Sequence, residues 1–276
     1  MGYLLLTILF SSMVSVVLRF SGQRVKNDFA MLAVNYLICG VISALSAGEI
    51  FPRVPGMARA GALGAVNGFI FLTSFALLKS SIQRSGVVLS SAFMKLGLLV
   101  SVTVSVVFFH ESPSLMQGMG FVLALLAIVL MNFPTADTKS GFRLGLILLL
   151  LLGGGGDAMS KIYEELGVPE LTGQFLLVTF LSAFTLCIIW MLVKKQRLGK
   201  WELIYGIAVA APNFLSSRCL LGALGSLPAV IAYPVYSVGS ILMVTLAGVV
   251  LFRERLEKHQ WLGIAVVLAA LVLLNV

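Results

Sequence analysis

Charge is what this 276-residue chain has least of: Asp, Glu, Lys and Arg together make up 11% of it. A globular domain carries about a quarter, so a water-soluble fold covered by a charged surface is excluded. The chain has only three cysteines, Cys39, Cys187 and Cys219, all inside apolar stretches with no CxxC spacing. That excludes a disulfide framework or a thiolate metal site and leaves them as small hydrophobes. The two histidines, His110 and His259, stand at expected loop positions, and no Walker sequence, His/Glu metal spacing or nucleophile elbow is present. ATP hydrolysis, metal catalysis and acyl transfer therefore have no sequence support. The chain reads as a non-enzyme that needs no cofactor.

Apolar length is what it has in excess. Hydrophobic residues make up 59% and the mean hydropathy is +1.06. A hydrocarbon core about 30 Å thick takes about 20 helical residues. The sequence divides into ten such segments, at 3–20, 29–47, 57–79, 85–109, 115–132, 142–162, 172–193, 202–222, 228–252 and 260–276. The expected fold is all-α, a multi-pass bundle in the lipid bilayer. The opening Met1-Gly-Tyr-Leu-Leu-Leu lacks a charged n-region and reads as a retained helix rather than a removed signal peptide.

A net charge of +8 would point to nucleic acid in a soluble protein, but here the basic residues collect between segments, so no nucleic-acid partner is expected. Fourteen of them, including Arg24, Lys26, Lys194, Lys195, Arg197 and Lys200, fall in or beside the odd-numbered connections, and four (Arg53, Arg59, Lys161, Arg218) in or beside the even ones. Positive loops stay in the cytoplasm, which puts both termini outside.

The chain also repeats itself. Phe109-His110-Glu111, Gln117-x-x-Gly120 and Asn132 return as Phe252-Arg253-Glu254, Gln260-x-x-Gly263 and Asn275 at a constant offset. Asn67 aligns with Asn213, and Arg19 with Lys161, each four residues after a polar Ser15 or Asp157. This gives two halves, 1–134 and 141–276, of five helices each. Five is odd, so the second half inserts upside down relative to the first, the inverted-repeat plan of secondary transporters.

Two five-helix halves, each ending in an apolar run, a Phe-x-Glu, a Gln-x-x-Gly and another apolar run, resemble the drug/metabolite transporter superfamily, in its EamA-like branch. The resemblance implies a secondary transporter of a small molecule, such as a metabolite, amino acid, sugar or drug, in a plasma membrane such as the bacterial inner membrane. It also implies cytoplasmic termini, against the charge pattern. The proline that family members often carry early in the fourth and ninth helices is present as Pro234, while Ser91 stands at the other position. Some relatives resemble lipid carriers, so a flippase for a lipid-linked, phosphate-bearing head group is the alternative. Monomer and homodimer are both open.

Polar residues inside the segments must do the work. Lys95 lies in the apolar run from Gly86 to Phe109, where a charge costs about 2.5–3.5 kcal/mol even on the lenient insertion scale. Such residues face a cavity or a partner, and Lys95 is the first candidate to bind substrate. Asp157 and Lys161 are four residues apart, on one helix face. They form either a structural ion pair or a site where Asp157 takes up a coupling proton. Just before them run Gly153 to Gly156, suited to close helix packing or to local unwinding beside a cavity. Asn67 and Asn213, equivalent in the two halves, are further substrate candidates, as is Tyr236, expected opposite Lys95. Asn35 is expected to join helices as much as to touch a ligand. Arg19 and Arg218 either face the cavity or reach the interface. Arg19, Lys95, Lys161 and Arg218 against one carboxylate would make a positive cavity, suited to an anionic or zwitterionic substrate such as an organic acid or an amino acid. Glu111 and Glu254, each at the end of a long helix, read as structural, and Gly64-x-x-x-Gly68 as a packing surface.

Overall fold

The structure is a computed structural model in which residues 1–22, 24–50, 52–85, 90, 93–131, 143–252 and 258–274 are described. Among these it is all helical: α1 Gly2–Ser21, α2 Asp28–Ser46, α3 Met57–Ser85, α4 Leu98–Phe108, α5 Leu115–Met131, α6 Arg143–Leu166, α7 Thr172–Val193, α8 Lys200–Leu224, α9 Ala229–Phe252 and α10 Lys258–Leu274. Seven are long and apolar enough to cross a membrane, while α4, α5 and α10 are shorter apolar helices. Their outward faces carry large apolar side chains, among them Leu45, Phe69, Val122 and Leu192, as a lipid-facing surface requires.

Local sequence explains several of the ends. Asn27 caps α2, its side chain accepting from the Ala30 amide at 3.3 Å. Glu202, in the first turn of α8, accepts from the Lys26 and Asn27 amides at 2.9 and 3.2 Å, which satisfies otherwise orphaned donors at the start of α2. Gly153 to Gly156 stay helical within α6, so their use is close packing. A Cβ on Gly154 would come within 2.7 Å of the Gly97 carbonyl carbon and 2.8 Å of Val100 Cβ, and Ser101 donates to the Gly154 carbonyl at 3.1 Å. Gly64 does the same for α3, where a Cβ would lie 2.7 Å from the Phe175 carbonyl oxygen of α7. In a bilayer such close approach supplies the van der Waals contact that stands in for the hydrophobic drive.

One helix departs from expectation. The fourth segment does not run unbroken from 85: a short helical piece holding Phe93, Met94 and Lys95 passes through a turn at Leu96 and Gly97 before α4 begins. Bonds spanning three residues, Gly97 N–H to Met94 C=O at 3.2 Å and Leu99 N–H to Leu96 C=O at 3.0 Å, tighten this turn. The break sits where Gly97 presses on Gly154, and it directly follows Lys95.

The helices pack in reciprocal pairs. α1 lies against α8 and α9, and α6 against α3 and α4; α2 packs on α7 and α8, and α3 on α7; α5 lies along α10. One aromatic core, holding Tyr36, Phe175, Phe180 and Phe214, joins α2, α7 and α8, and Tyr163 of α6 stacks on Phe175 with centroids 4.0 Å apart. A second core gathers Leu4, Ile8, Leu98, Leu220, Leu224 and Tyr233 from α1, α4, α8 and α9.

Candidate functional site

A cavity of about 310 Å³ lies between α1, α2, α3, α6, α8 and α9 and the helical piece that carries Lys95. Leu18, Leu32 and Phe75 line its outer end, toward the face where α1 ends and α2 begins. Asp157, Asn213 and Tyr236 line its deep end and also border a second cavity of about 140 Å³ that contains Asn67, Ser11 and Ser217. The two form one polar recess that reaches the middle of the bundle.

Lys95 and Asp157 are the charges of this recess. Both are half-buried, and they act on one another electrostatically. Among the described residues neither is in an ion pair; the ion pairs of α6 are made by Lys161. The Lys95 ammonium sits 5.9 Å from the centroid of the Tyr236 ring, within cation–π range. Tyr236 is fixed in turn by a 3.1 Å hydrogen bond between its hydroxyl and that of Ser11. Beside it the Tyr233 hydroxyl donates to the backbone carbonyl of Asp157 at 2.5 Å, tying α9 to α6 where the carboxylate projects.

The two asparagines have different surroundings. Asn213 donates to Asn35 Oδ1 at 3.3 Å, with Cys39 packed alongside, so it links α8 to α2 as well as lining the recess. Asn67 is 1% exposed and its Oδ1 has no hydrogen-bond partner. An unsatisfied buried polar group costs about 1–3 kcal/mol, and this acceptor borders the same recess as Asp157. A donor arriving with a ligand would satisfy it.

Other candidates lie elsewhere. Lys161 does not pair with Asp157. It is 3% exposed and bound to Glu111 at 3.0 Å, Glu164 at 3.0 Å and Glu165 at 2.5 Å. Its side chain follows the last turn of α6 toward that face of the bundle, away from the recess. Arg218 is exposed and lines a separate cavity of about 290 Å³ with Tyr3, Tyr163 and Glu164 on the opposite face. Arg19 is exposed in the last turn of α1 and does not line the recess. Of four expected cations, the recess holds Lys95 alone. Glu254 and Ser91 lie outside the described residues.

The EamA-like transporter family matches the chain twice, over residues 1–133 and 139–276. The chain belongs to this family. It is a membrane transporter of the drug/metabolite transporter superfamily, and the EamA-like halves together cover almost its whole length. An uncharacterized protein of Haemophilus influenzae is 24% identical over 210 residues, spanning 74% of this EamA-like chain and 72% of that protein. A crystal structure of another protein, 15% identical, superimposes with a TM-score of 0.74 over 98% of this chain and 94% of the other, a likeness of fold.

Ser11, Asn35 and Tyr233 are residues of the site to which sequence gave no role or a lesser one. Nothing local marks Ser11. Tyr233 and Asn35 were visible only as polar groups in apolar runs.

Proposed function

We propose that this transporter moves a small zwitterion, an amino acid or a close analogue, by alternating access around the recess of Lys95 and Asp157. The observation that carries the reading is one cation and one carboxylate facing the same cavity without neutralising each other. In low-dielectric surroundings two opposite charges left apart strongly favour a ligand that bridges them. A carboxylate would pair with Lys95 and an ammonium with Asp157 and Asn67 Oδ1, while Tyr236 and Asn213 wall the site. The same Asp157 is the group able to take up a coupling proton when no ammonium is bound.

The architecture proposed for this cycle is two inverted five-helix repeats, 1–134 and 141–276, with the division between them after the fifth helix. The reciprocal pairing supports it: α1 with α8 answers α6 with α3, α1 with α9 answers α6 with α4, and α2 with α8 answers α7 with α3. Exchanging the roles of the halves would move the open side of the recess from one face to the other. The plasma membrane is the proposed location.

A phosphate-bearing lipid head group would call for a strongly positive cavity, and the recess, with one cation against one carboxylate, does not supply it. The test is a thermal-shift screen of detergent-solubilised protein against amino acids, organic acids, sugars, nucleosides and lipid phosphates, repeated with Lys95→Ala. Stabilisation by amino acids that disappears in the variant supports the reading. Stabilisation by lipid phosphates alone overturns it.

A further inference from the structure

Glu111 closes α4 in sequence but binds three other elements in space. Its carboxylate accepts from the Ala229 and Val230 amides, in the first turn of α9, at 2.9 and 3.1 Å, and from the Lys161 ammonium of α6 at 3.0 Å. Phe109 lies under the same ammonium, 5.9 Å from centroid to nitrogen. The knot lies at the face where α6 ends and α9 begins, opposite the one where α1 ends and α2 begins. Below it Leu4, Ile8, Leu220 and Leu224 form an apolar plug, between the inner recess at Ser11 and Ser217 and the outer cavity at Tyr3 and Arg218.

Reciprocal packing says what must move. On one side Met94 and Lys95 of the fourth segment line the cavity, and their counterparts in the second half are Ser237, which lines the same cavity, and Val238 of α9. The helix that carries these counterparts begins at the turn that Glu111 holds. Opening the far face must carry that turn away from α4 and α6, and no such motion leaves the Glu111 bonds intact.

We infer that Glu111 is the latch of the far gate: its carboxylate, gripping the first turn of α9 and Lys161, keeps that face shut while the recess is open on the other side. The inference rests on the alternating-access reading above. It assigns a role in the cycle to a residue that touches no substrate. The neighbouring charges are Lys161, Glu164 and Glu165 on α6; Glu164 and Glu165 hold the lysine when Glu111 lets go, so the latch can reopen without stranding a bare buried ammonium.

The experiment reads sidedness and not only activity. Ser217→Cys places a reporter in the inner recess, and membrane-impermeant maleimide is applied to oriented vesicles from either face, with the native, buried cysteines as background. Glu111→Gln is isosteric but loses the charge. It should raise labelling from the far face at least fivefold and lower labelling from the open face. A structural cap alone would instead lower the melting temperature and leave the ratio between faces unchanged, and that result overturns the proposal. If Glu111→Gln does not fold, Glu111→Cys with Ala229→Cys joined by a reducible cross-linker is the second test. With labelling read at position 217 alone by peptide mapping, since reduction also frees the two joined thiols, the joined protein should give no far-face labelling there and regain it on reduction; labelling at 217 unaffected by the cross-link also overturns the latch. Wild-type uptake of amino acids in the same vesicles is scored separately. Its failure would remove the substrate reading, whereas the labelling ratio needs no substrate.

Discussion

On the proposed zwitterion reading two residues, Lys95 and Asp157, define the substrate chemistry, and each can be removed without removing the other. A hydrogen bond to a charged group contributes about 1.5–3 kcal/mol, so Lys95→Met should weaken amino-acid binding by about ten- to a hundredfold. It should weaken a carboxylic acid lacking the amine just as much. Asp157→Asn should affect the amino acid and spare that acid; competition in uptake assays separates the two, and equal losses for both ligands in both variants would sink the assignment of ends. Glu111 adds a pH dependence. Burial pushes its carboxyl up, but the Ala229 and Val230 amides and Lys161 outweigh that and hold it below the ordinary carboxylate range. Its contribution to the closed face is therefore complete above that range, near pH 4.3, and is lost only as pH falls through the lowered value. The ratio of far-face to open-face labelling, in which the loss of reactive thiolate cancels, should stay flat from pH 8 to 5 and rise only in stronger acid; a rise centred between pH 6 and 7 would implicate another group. Some of this could be read from sequence. Lys95 stood out because an isolated charge in an apolar run needs a cavity, and Asp157 through its spacing from Lys161; Lys161 itself pairs instead with Glu164 and Glu165, one turn on and visible in the sequence as partners.

At the scale of the element, the glycine run of α6 makes a graded prediction. Gly154 faces the Gly97 backbone at the crossing with α4, while a Cβ on Gly155 would meet only Ile70 side-chain atoms at 3.7 and 3.8 Å. Gly154→Ala should destabilise the detergent-solubilised protein by about 1–3 kcal/mol, the usual effect of overpacking. Gly155→Ala should leave the melting temperature unchanged or raise it slightly, since alanine is the better helix former. If both variants melt alike, the crossing is not what the glycines serve. All ten apolar segments could be read from hydropathy, with ends within four residues for eight; α3 runs six residues further than expected, and α4 begins well after 85. The break at Leu96 and Gly97 could not. A single glycine in an apolar run is common, and what ends the helix is the opposing backbone of α6, a partner about sixty positions away that has no trace in local pattern.

For the whole molecule, the open question that sequence posed is which way the bundle sits. The recess extends toward the face where α1 ends, α2 begins and α7 runs into α8, the same face that carries Arg24, Lys26, Lys194, Lys195, Arg197 and Lys200. Each of these lies close to a span, where basic residues decide orientation and acidic ones count little. The opposite face has Arg53, Arg59 and Arg218, with Lys161 already neutralised by three glutamates. Basic residues facing a negatively charged inner leaflet add about 1 kcal/mol each, so the orientation with the open face inside is favoured. On the proposed alternating-access reading this orientation makes the conformation the inward-open one and puts the proposed Glu111 latch on the outer side. Gln196→Cys, on the exposed connection between α7 and α8, gives the check. It should resist impermeant maleimide in intact cells and react once they are permeabilised, and a Ser226→Cys reporter in the connection from α8 to α9 should behave in the opposite way. Reversal of both would put the termini in the cytoplasm, as the family resemblance implies, and turn the same structure into its outward-open state with Glu111 as the inner gate.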